Sequence, residues 1–540
     1  MIGTFRQSMT WLHTWAGLVF CWILYFMFVT GTLGYFDTEI DRWMMPEREW
    51  GEIIPLSESV DIGRARLEQE ASGADLWIIT PAAGREHPHL RVFWQMPEVD
   101  ELHEEGEEHD HAEIVRGNER LDQQTGRPLA EARETGGGQL LYRMHYLLHY
   151  IDRDIGYRIV GILTMLMLVG LVSGVIAHKK IFKDLFTFRR RKGQRSWLDM
   201  HNLMSVCSLP FQFMITYSGL IFVVTMWMPF IALGSYGFDM GAAREAITNF
   251  TGEAQLERSG IEAPMVDLNE IVASASDRWG EESIVRLEVR YPGDDNARVT
   301  AHLNNGVSIV GDRAVFSGTT GELIKVLPAH VNGGVAFGAV MIGLHEGLFA
   351  GPVLRWLYFF SGVLGAGMVA TGAIYWSEKR KQKLAGTDHR GYRFVECLNI
   401  GTIIGLPVGI GVYFLANRLL PLDMINRGDW EVHCMFLAWL LCFVHAIVRK
   451  PQVAWKEQSW LAAGVYLLIP IVNALTTDLS LPATLSSGNW VLAGFDLTAL
   501  GVGLAFIVTA FYLQAGGPTR KSRATQVDAA VPSTAEYSRG

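Results

Sequence analysis

The chain has 540 residues, 49% of them hydrophobic, with a mean hydropathy of +0.17 and a formal net charge of −10. That is too apolar for an ordinary soluble enzyme, and the basic residues are gathered in short loops, which reports membrane topology rather than nucleic-acid binding. The five cysteines, Cys21, Cys207, Cys397, Cys434 and Cys442, lie in or beside apolar runs with no CxxC or CxxCH spacing, which argues against a disulfide framework, a zinc knuckle and a covalently attached c-type haem.

In chain order, apolar runs fall at 11–35, 156–177, 203–228, 353–376, 396–416, 431–448, 457–475 and 489–514. Each is close to the roughly 20 residues that cross a hydrocarbon core of ~30 Å. The first lacks a small-residue cleavage site and reads as a retained anchor. Basic residues at 179–195, 378–383, 449–450 and 520–523 mark every second loop or end, so both termini are expected on the cytoplasmic side of a bacterial inner membrane, with lipid as the surrounding partner. The long polar segments then lie outside, in a Gram-negative periplasm. The expected division is 1–35 (first span), 36–155 (first outer module), 156–228 (spans two and three around the basic loop 178–200), 229–352 (second outer module), 353–383 (span four and its end), 396–514 (four further spans) and 515–540 (a Ser/Thr/Ala-rich tail expected to be disordered).

Each outer segment reads as a small α+β module. Residues 56–71 have helical patterning, 76–80 and 90–95 read as strands, and Asp122…Thr125-Gly126 as a turn; residues 266–278, 284–290 and 297–303 and the turn Ser317…Gly321 repeat that order. The spans repeat as well. Trp11…His13 opens the first and Trp197…His201 the third, continuing to Thr30-Gly31 and Ser218-Gly219; Leu148-His149 and Leu344-His345 precede spans two and four, which carry Ser173-Gly174 and Thr371-Gly372. An internal duplication of two spans plus one module accounts for the pattern.

Ionisable side chains at membrane depth are costly and mark function. His13, His178 and His201 fall at cytoplasmic ends of spans, and His145, His149 and His345 at outer ends. Two layers of imidazole suit two metal centres, and neutral imidazole is a usual axial ligand of electron-transfer haem. Pairing equivalent residues of the two halves puts His13 with His201 at an inner b-type haem and His149 with His345 at an outer one. His145 and His178, without counterparts, stand as alternative ligands, propionate partners or redox-coupled proton acceptors. Arg158 and Arg355 sit at the outer interface as candidate propionate partners or headgroup contacts. The Gly170/Gly174 face reads as close helix packing, Trp22, Phe26, Met165 and Met214 as relay candidates or packing, and His433 and His445 as structural. The acidic run 101–113, with His103, His109 and His111, reads as a solvated loop or a weak divalent-metal site.

The order of span, module ending in Asp122…Thr125-Gly126, Leu148-His149, span, Trp197…His201, and its repetition to Leu344-His345 resembles the PepSY-associated transmembrane family over residues 1–383. The resemblance implies a helical membrane bundle with two PepSY-like modules and two haem b groups held by His13, His201, His149 and His345. It also implies an oxidoreductase that reduces ferric siderophores outside the inner membrane during iron uptake. A siderophore holds Fe(III) with hard oxygen donors and Fe(II) far more weakly, so one electron releases the metal. No dinucleotide fingerprint is present, so a cytoplasmic or quinone-level donor is expected. The contrasting readings are a PepSY-module protein that binds or regulates a periplasmic protein or peptidase without redox chemistry, and a transporter built on the last four spans.

Overall fold

The computed structural model describes residues 4–48, 50, 53–85, 87–97, 115–178, 183, 188–189, 192–223, 256–330, 333–381, 384 and 389–515. Among these, eight segments are long and apolar enough to cross a membrane: α1 (Phe5–Gly34), α5 (Arg153–Ala177), α6 (Gln194–Phe222), α9 (Pro352–Lys381), the pair α10 (Arg390–Ile403) and α11 (Gly405–Leu419), α12 (Arg427–Val448), α13 (Pro451–Thr476) and α15 (Trp490–Gln514), with the short α14 (Leu481–Ser486) between the last two. The chain is therefore a multi-pass helical membrane protein. Polar residues extend several spans beyond the apolar runs: α1 starts at Phe5 because Thr4 and Gln7 form a capping box. The fifth span is broken at Ile404, where Gly405 and Pro407 follow and proline cannot donate into the ladder.

On one side of the bundle stand α3 (Leu56–Glu70), α7 (Leu268–Trp279) and the strands β1 (Leu76–Thr80), β2 (Leu90–Gln95), β3 (Arg116–Leu121), β4 (Ile284–Arg290), β5 (Arg298–Leu303), β6 (Arg313–Ser317) and β7 (Leu323–Leu327). Where two separate modules were expected, one antiparallel sheet forms in the order β3-β2-β1-β4-β5-β6-β7. The seam is β1 against β4, from Leu76↔Arg290 to Ile79↔Leu287. Joining these two edges removes unpaired backbone groups that each module alone would leave exposed. A single apolar core follows, with Val60 and Leu67 of α3, Ile271 of α7, Ile79, Leu287, Val299 and Phe316 fully enclosed. β3 was not anticipated: its outward Arg116, Asn118 and Arg120 hide the strand pattern, and β2 supplies its pairing. The expected turns are present, with Asp122 accepting from the Thr125 hydroxyl at 2.7 Å, and with Gly126 and Gly321 at φ +66° and +73°.

Three short helices connect sheet and spans: α2 (Asp37–Met44) after α1, α4 (Gly137–Leu147) before α5, and α8 (Gly333–Glu346) before α9. Both α4 and α8 carry a histidine in their last turn. The tail expected at 515–540, apart from Ala515, and most of the basic loop lie outside the described residues.

The last four spans are tied to the first part by buried polar groups. Arg427 and Glu431, both fully enclosed, pair at 2.5 Å. Arg427 also donates to the carbonyls of Glu134 (2.9 Å) and Asn417 (2.5 Å), and Glu431 accepts from Thr135 at 2.6 Å. Tyr413 donates to the Gly137 carbonyl at 2.9 Å, so α11 and α12 hold the strand of chain that leads into α4. Arg418 lies 3.8 Å over the Trp43 ring, whose Nε1 donates to Asp496 at 3.0 Å.

Candidate functional site

Two pairs of histidines meet inside the first four spans. His13 of α1 and His201 of α6 have ring centres 6.2 Å apart, tilted by 57°. At the sheet side, His145 of α4 and His345 of α8 also lie 6.2 Å apart, tilted by 41°. His201 and Ser218, which contacts His345, are 17 residues apart on α6, about 26 Å of helical rise, so the pairs occupy two distinct levels.

Each ring has the same kind of seat. The Nδ1–H of His13 donates to the Gly170 carbonyl (2.9 Å), that of His145 to Met27 (2.7 Å) and that of His201 to Met368 (2.8 Å). His345 Nδ1 meets the Ser218 hydroxyl at 2.9 Å, and that hydroxyl donates its own proton to the Met214 carbonyl at 2.7 Å. Ser218 therefore accepts, and all four imidazoles share one tautomer, with Nδ1 protonated and Nε2 presenting its lone pair. Metal-ligating histidines are fixed in this way.

The seat itself is a hydroxyl-glycine pair. Thr30-Gly31, Ser173-Gly174, Ser218-Gly219 and Thr371-Gly372 each lie beneath one ring. A Cβ on these glycines would stand 2.6 Å from His145, 2.9 Å from His13, 3.2 Å from His345 and 3.2 Å from His201. The preceding hydroxyls turn back onto their own helices, Thr30 to Phe26 O (2.8 Å) and Thr371 to Gly367 O (2.6 Å), which keeps polar groups satisfied in an apolar setting. The four dipeptides are visible in the sequence, but nothing in their spacing tells which histidine each one seats.

The sheet-side pair opens into a cavity of about 450 Å³, lined by His145, His345, Gly31, Gly219, Thr164 and Met167, a size common for small-ligand sites. Its sheet-side end carries charged groups, of which Arg355 was expected from the sequence and Arg85, Asp37, Glu39 and Glu346 were not. Arg85 pairs with Asp37 and Glu39 at 2.8 Å each; Arg355 meets Glu39 at 3.1 Å and the Ala350 carbonyl at 2.9 Å; Tyr142 donates to Glu346 at 2.8 Å.

The sequence pairing of His149 with His345 is corrected. Leu148 and Tyr150 have φ +58° and +66°, so the chain leaves the helix there and carries the His149 ring onto Phe436, 5.6 Å away. His145, one turn earlier on α4, takes the place beside His345. Arg158 lies on the exposed side of α5, whereas Arg355 reaches the cavity. His178 ends α5, its backbone N–H bonded to Gly174 O at 3.1 Å. Trp22 and Phe26 turn toward the last four spans, bonded to Asn399 (2.9 Å) and stacked on Trp439 (5.5 Å) respectively. His433 meets the Tyr150 hydroxyl and His445 pairs with Glu457 at 2.8 Å. His103, His109 and His111 lie outside the described residues. Among the described residues no group of three or more His, Cys, Asp or Glu is arranged to hold a metal ion.

The sequence profile described as the PepSY-associated TM region matches residues 10–379, which span all four histidines and all four seats. The chain belongs to the PepSY-associated TM family. The match ends before α10, so the last four spans lie beyond the part shared with the family. Comparison with curated proteins finds no match.

Proposed function

We propose that this PepSY-associated protein is a b-type haem oxidoreductase of a bacterial inner membrane, passing electrons across the bilayer to reduce a ferric chelate, such as a ferric siderophore, on the sheet side. The observation that carries the reading is the pair of histidine couples with matched tautomers. The ring centres of both couples lie 6.2 Å apart, and each ring has its Nδ1 engaged and its Nε2 left for a ligand. Donor chemistry fits too, since each couple offers two imidazole nitrogens and no carboxylate, a donor set that would hold electron-transfer haem. When bound, haem supplies a one-electron Fe(III)/Fe(II) couple at each level.

The remaining roles belong to the chain. His13 and His201 hold one group, His145 and His345 the other, and the carbonyls of Gly170, Met27 and Met368 orient the rings. Arg85 and Arg355 at the cavity end, paired with Asp37 and Glu39, would offer positive charge to propionates. Glycine seats bring helices close enough to enclose planar groups and exclude water. The repeated seats and the β1–β4 seam support an internal duplication, with the two halves related about an axis along the membrane normal. The basic loops support cytoplasmic termini and an outer sheet. Reduction weakens the hold of hard oxygen donors on the substrate's iron. The donor is a cytoplasmic or quinone-level reductant.

A reduced-minus-oxidised absorbance spectrum of the purified chain tests this directly. The expected result is a b-type α-band with close to two haems per chain, together with anaerobic reoxidation by a ferric chelate. A spectrum without the band removes the proposal.

A further inference from the structure

A second cluster lies away from the histidine couples, where α2 and the segment after it meet the first half of the sheet. Arg42 of α2 stacks on Trp50 with its guanidinium carbon 4.7 Å from the ring centre, and Trp50 in turn lies 4.9 Å from His89. His89 directly precedes β2, whose Leu90 and Arg91 pair with Leu121 and Arg120 of β3. Arg48 joins from the loop after α2, and the charges of Arg48, Arg120 and Arg42 all bear on His89.

Among the described residues, these donors find no acceptor. The Nε atoms of Arg42 and Arg48 and the Nε2 of His89 are shielded from solvent without a hydrogen bond, and His89 is only 8% exposed. Buried polar groups of this kind normally have partners, and leaving them unpaired is destabilising. Like charge adds to the cost. Burial and then the three arginines hold the His89 imidazole down to about 4, and burial with Arg120 lowers Arg48 as well. The facing carboxylates are shared with other partners: Glu39, whose charge bears on Arg42, holds Arg85 and Arg355, Asp41, whose charge bears on Arg48 and Arg120, accepts from Gly138 N–H at 2.8 Å, and Glu47 pairs with Arg133. Three arginines thus bear on one imidazole that lies beside the Trp50 ring, and Arg120, on the exposed face of β3, opens the cluster to solvent.

We propose that Arg42, Arg48, Arg120 and His89 form a binding site for a multiply charged oxyanion, with Trp50 as its floor. Guanidinium groups match carboxylate and phosphate oxygens in pairs, and an anion there supplies the missing acceptors while cancelling the repulsion. The source is a soluble polycarboxylate or phosphate, or the phosphate of a lipid headgroup at the membrane surface. The site stands independently of haem, because none of its residues touches the histidine couples. It nevertheless shares α2 with Glu39, one turn away, which holds the arginines of the cavity end.

The test is calorimetric titration of the full chain in a neutral detergent at low ionic strength with citrate, with inorganic phosphate and, separately, with a soluble short-chain phosphatidylglycerol. Saturable binding of citrate or phosphate assigns the oxyanion to a soluble source; binding of the lipid alone assigns it to a headgroup. Arg120→Gln and Arg42→Gln should each weaken binding tenfold or more, on the order of one charge-assisted hydrogen bond. Without ligand, the thermal midpoint of Arg120→Gln should stay close to that of the parent, because relief of like charge at Arg48 and His89 offsets the lost attraction to Asp41. No heat from any of the probes up to about 10 mM, or unchanged affinity in Arg120→Gln, overturns the site.

Discussion

In α1, α5, α6 and α9, with α4 and α8, the polar rings that enter the bundle are four imidazoles, each set on a glycine and each keeping one nitrogen unused by the protein. In α11, α12, α13 and α15 the entering groups are Arg418, Arg427, Glu431, Asn473 and Asp496, and the contacts among them are saturated. The first arrangement leaves capacity for a ligand. The second spends its polar groups on cohesion. Glu431, Thr135 and Arg427 also show what that cohesion serves, because they fix residues 134–137, the entry to α4 and hence to His145.

Breaking the saturated region should give the largest effect. Arg427→Ala leaves Glu431 enclosed without its counter-charge and should cost about 3–5 kcal/mol, whereas Arg427→Met combined with Glu431→Leu should recover most of it. Thermal unfolding of the two variants in detergent measures the difference. Equal losses in both would mean that packing volume, not charge, holds α11 and α12 to the α4 entry.

The histidine region should respond in ligand capacity rather than in folding. His145→Ala and His345→Ala should each reduce haem content by about half, since one axial pair is lost and the other kept, while His149→Ala should leave it unchanged. Haem extracted per chain reports the outcome. A loss in His149→Ala with none in His145→Ala would restore the pairing read from the sequence and refute the structural one.

That misreading has a physical origin. Thr371 lies 26 residues after His345, while Ser173 lies 28 after His145 and 24 after His149, so spacing favours neither. The Leu-His dipeptide tipped the choice, and only the left-handed turns at Leu148 and Tyr150 undo it. The spans were legible because hydropathy alone decides them. Helix α3, strands β1, β2 and β4 and the two turns were legible from short-range patterning, whereas β3 and the β1–β4 seam depend on partners far along the chain. His13 and His201 needed only their equivalent positions in two similar halves. The oxyanion cluster gave no signal at all, because Arg42, Arg48, His89 and Arg120 are separate in sequence and converge only through α2 and the β2–β3 register.

A subtler change probes the seats themselves. Gly31→Ala places a methyl 2.6 Å from His145 Nδ1, while at Gly17, on the same helix, nothing lies within 4 Å. Overpacking of this kind costs about 1–3 kcal/mol, so Gly31→Ala should shift the midpoint or loosen haem at the sheet-side couple, and Gly17→Ala should not. Identical spectra and melting of the two variants would mean that the ring moves aside at no cost and that the glycine is a packing residue only.

The smallest expected effect belongs to the sheet, which lies outside both bundles and so separates acid sensitivity from ligand capacity. Burial raises the Glu288 carboxyl, but hydrogen bonds from His302 (3.2 Å) and Arg290 (2.9 Å) outweigh it and hold it down to about 2. A carboxylate lowered in the folded chain contributes stability that is present above its ordinary value of about 4.3 and is lost as pH falls from there toward 2. Because Arg290 and Glu288 are partly open to solvent, the contribution is about 1 kcal/mol. The thermal midpoint of the parent should therefore fall more steeply between pH 5 and 3 than that of Glu288→Gln, with haem content of the two equal at pH 7. Parallel slopes would show that the β4–β5 pairing carries no acid-labile charge, and unequal haem content would show that the sheet and the histidine couples are more tightly linked than their separate cores suggest.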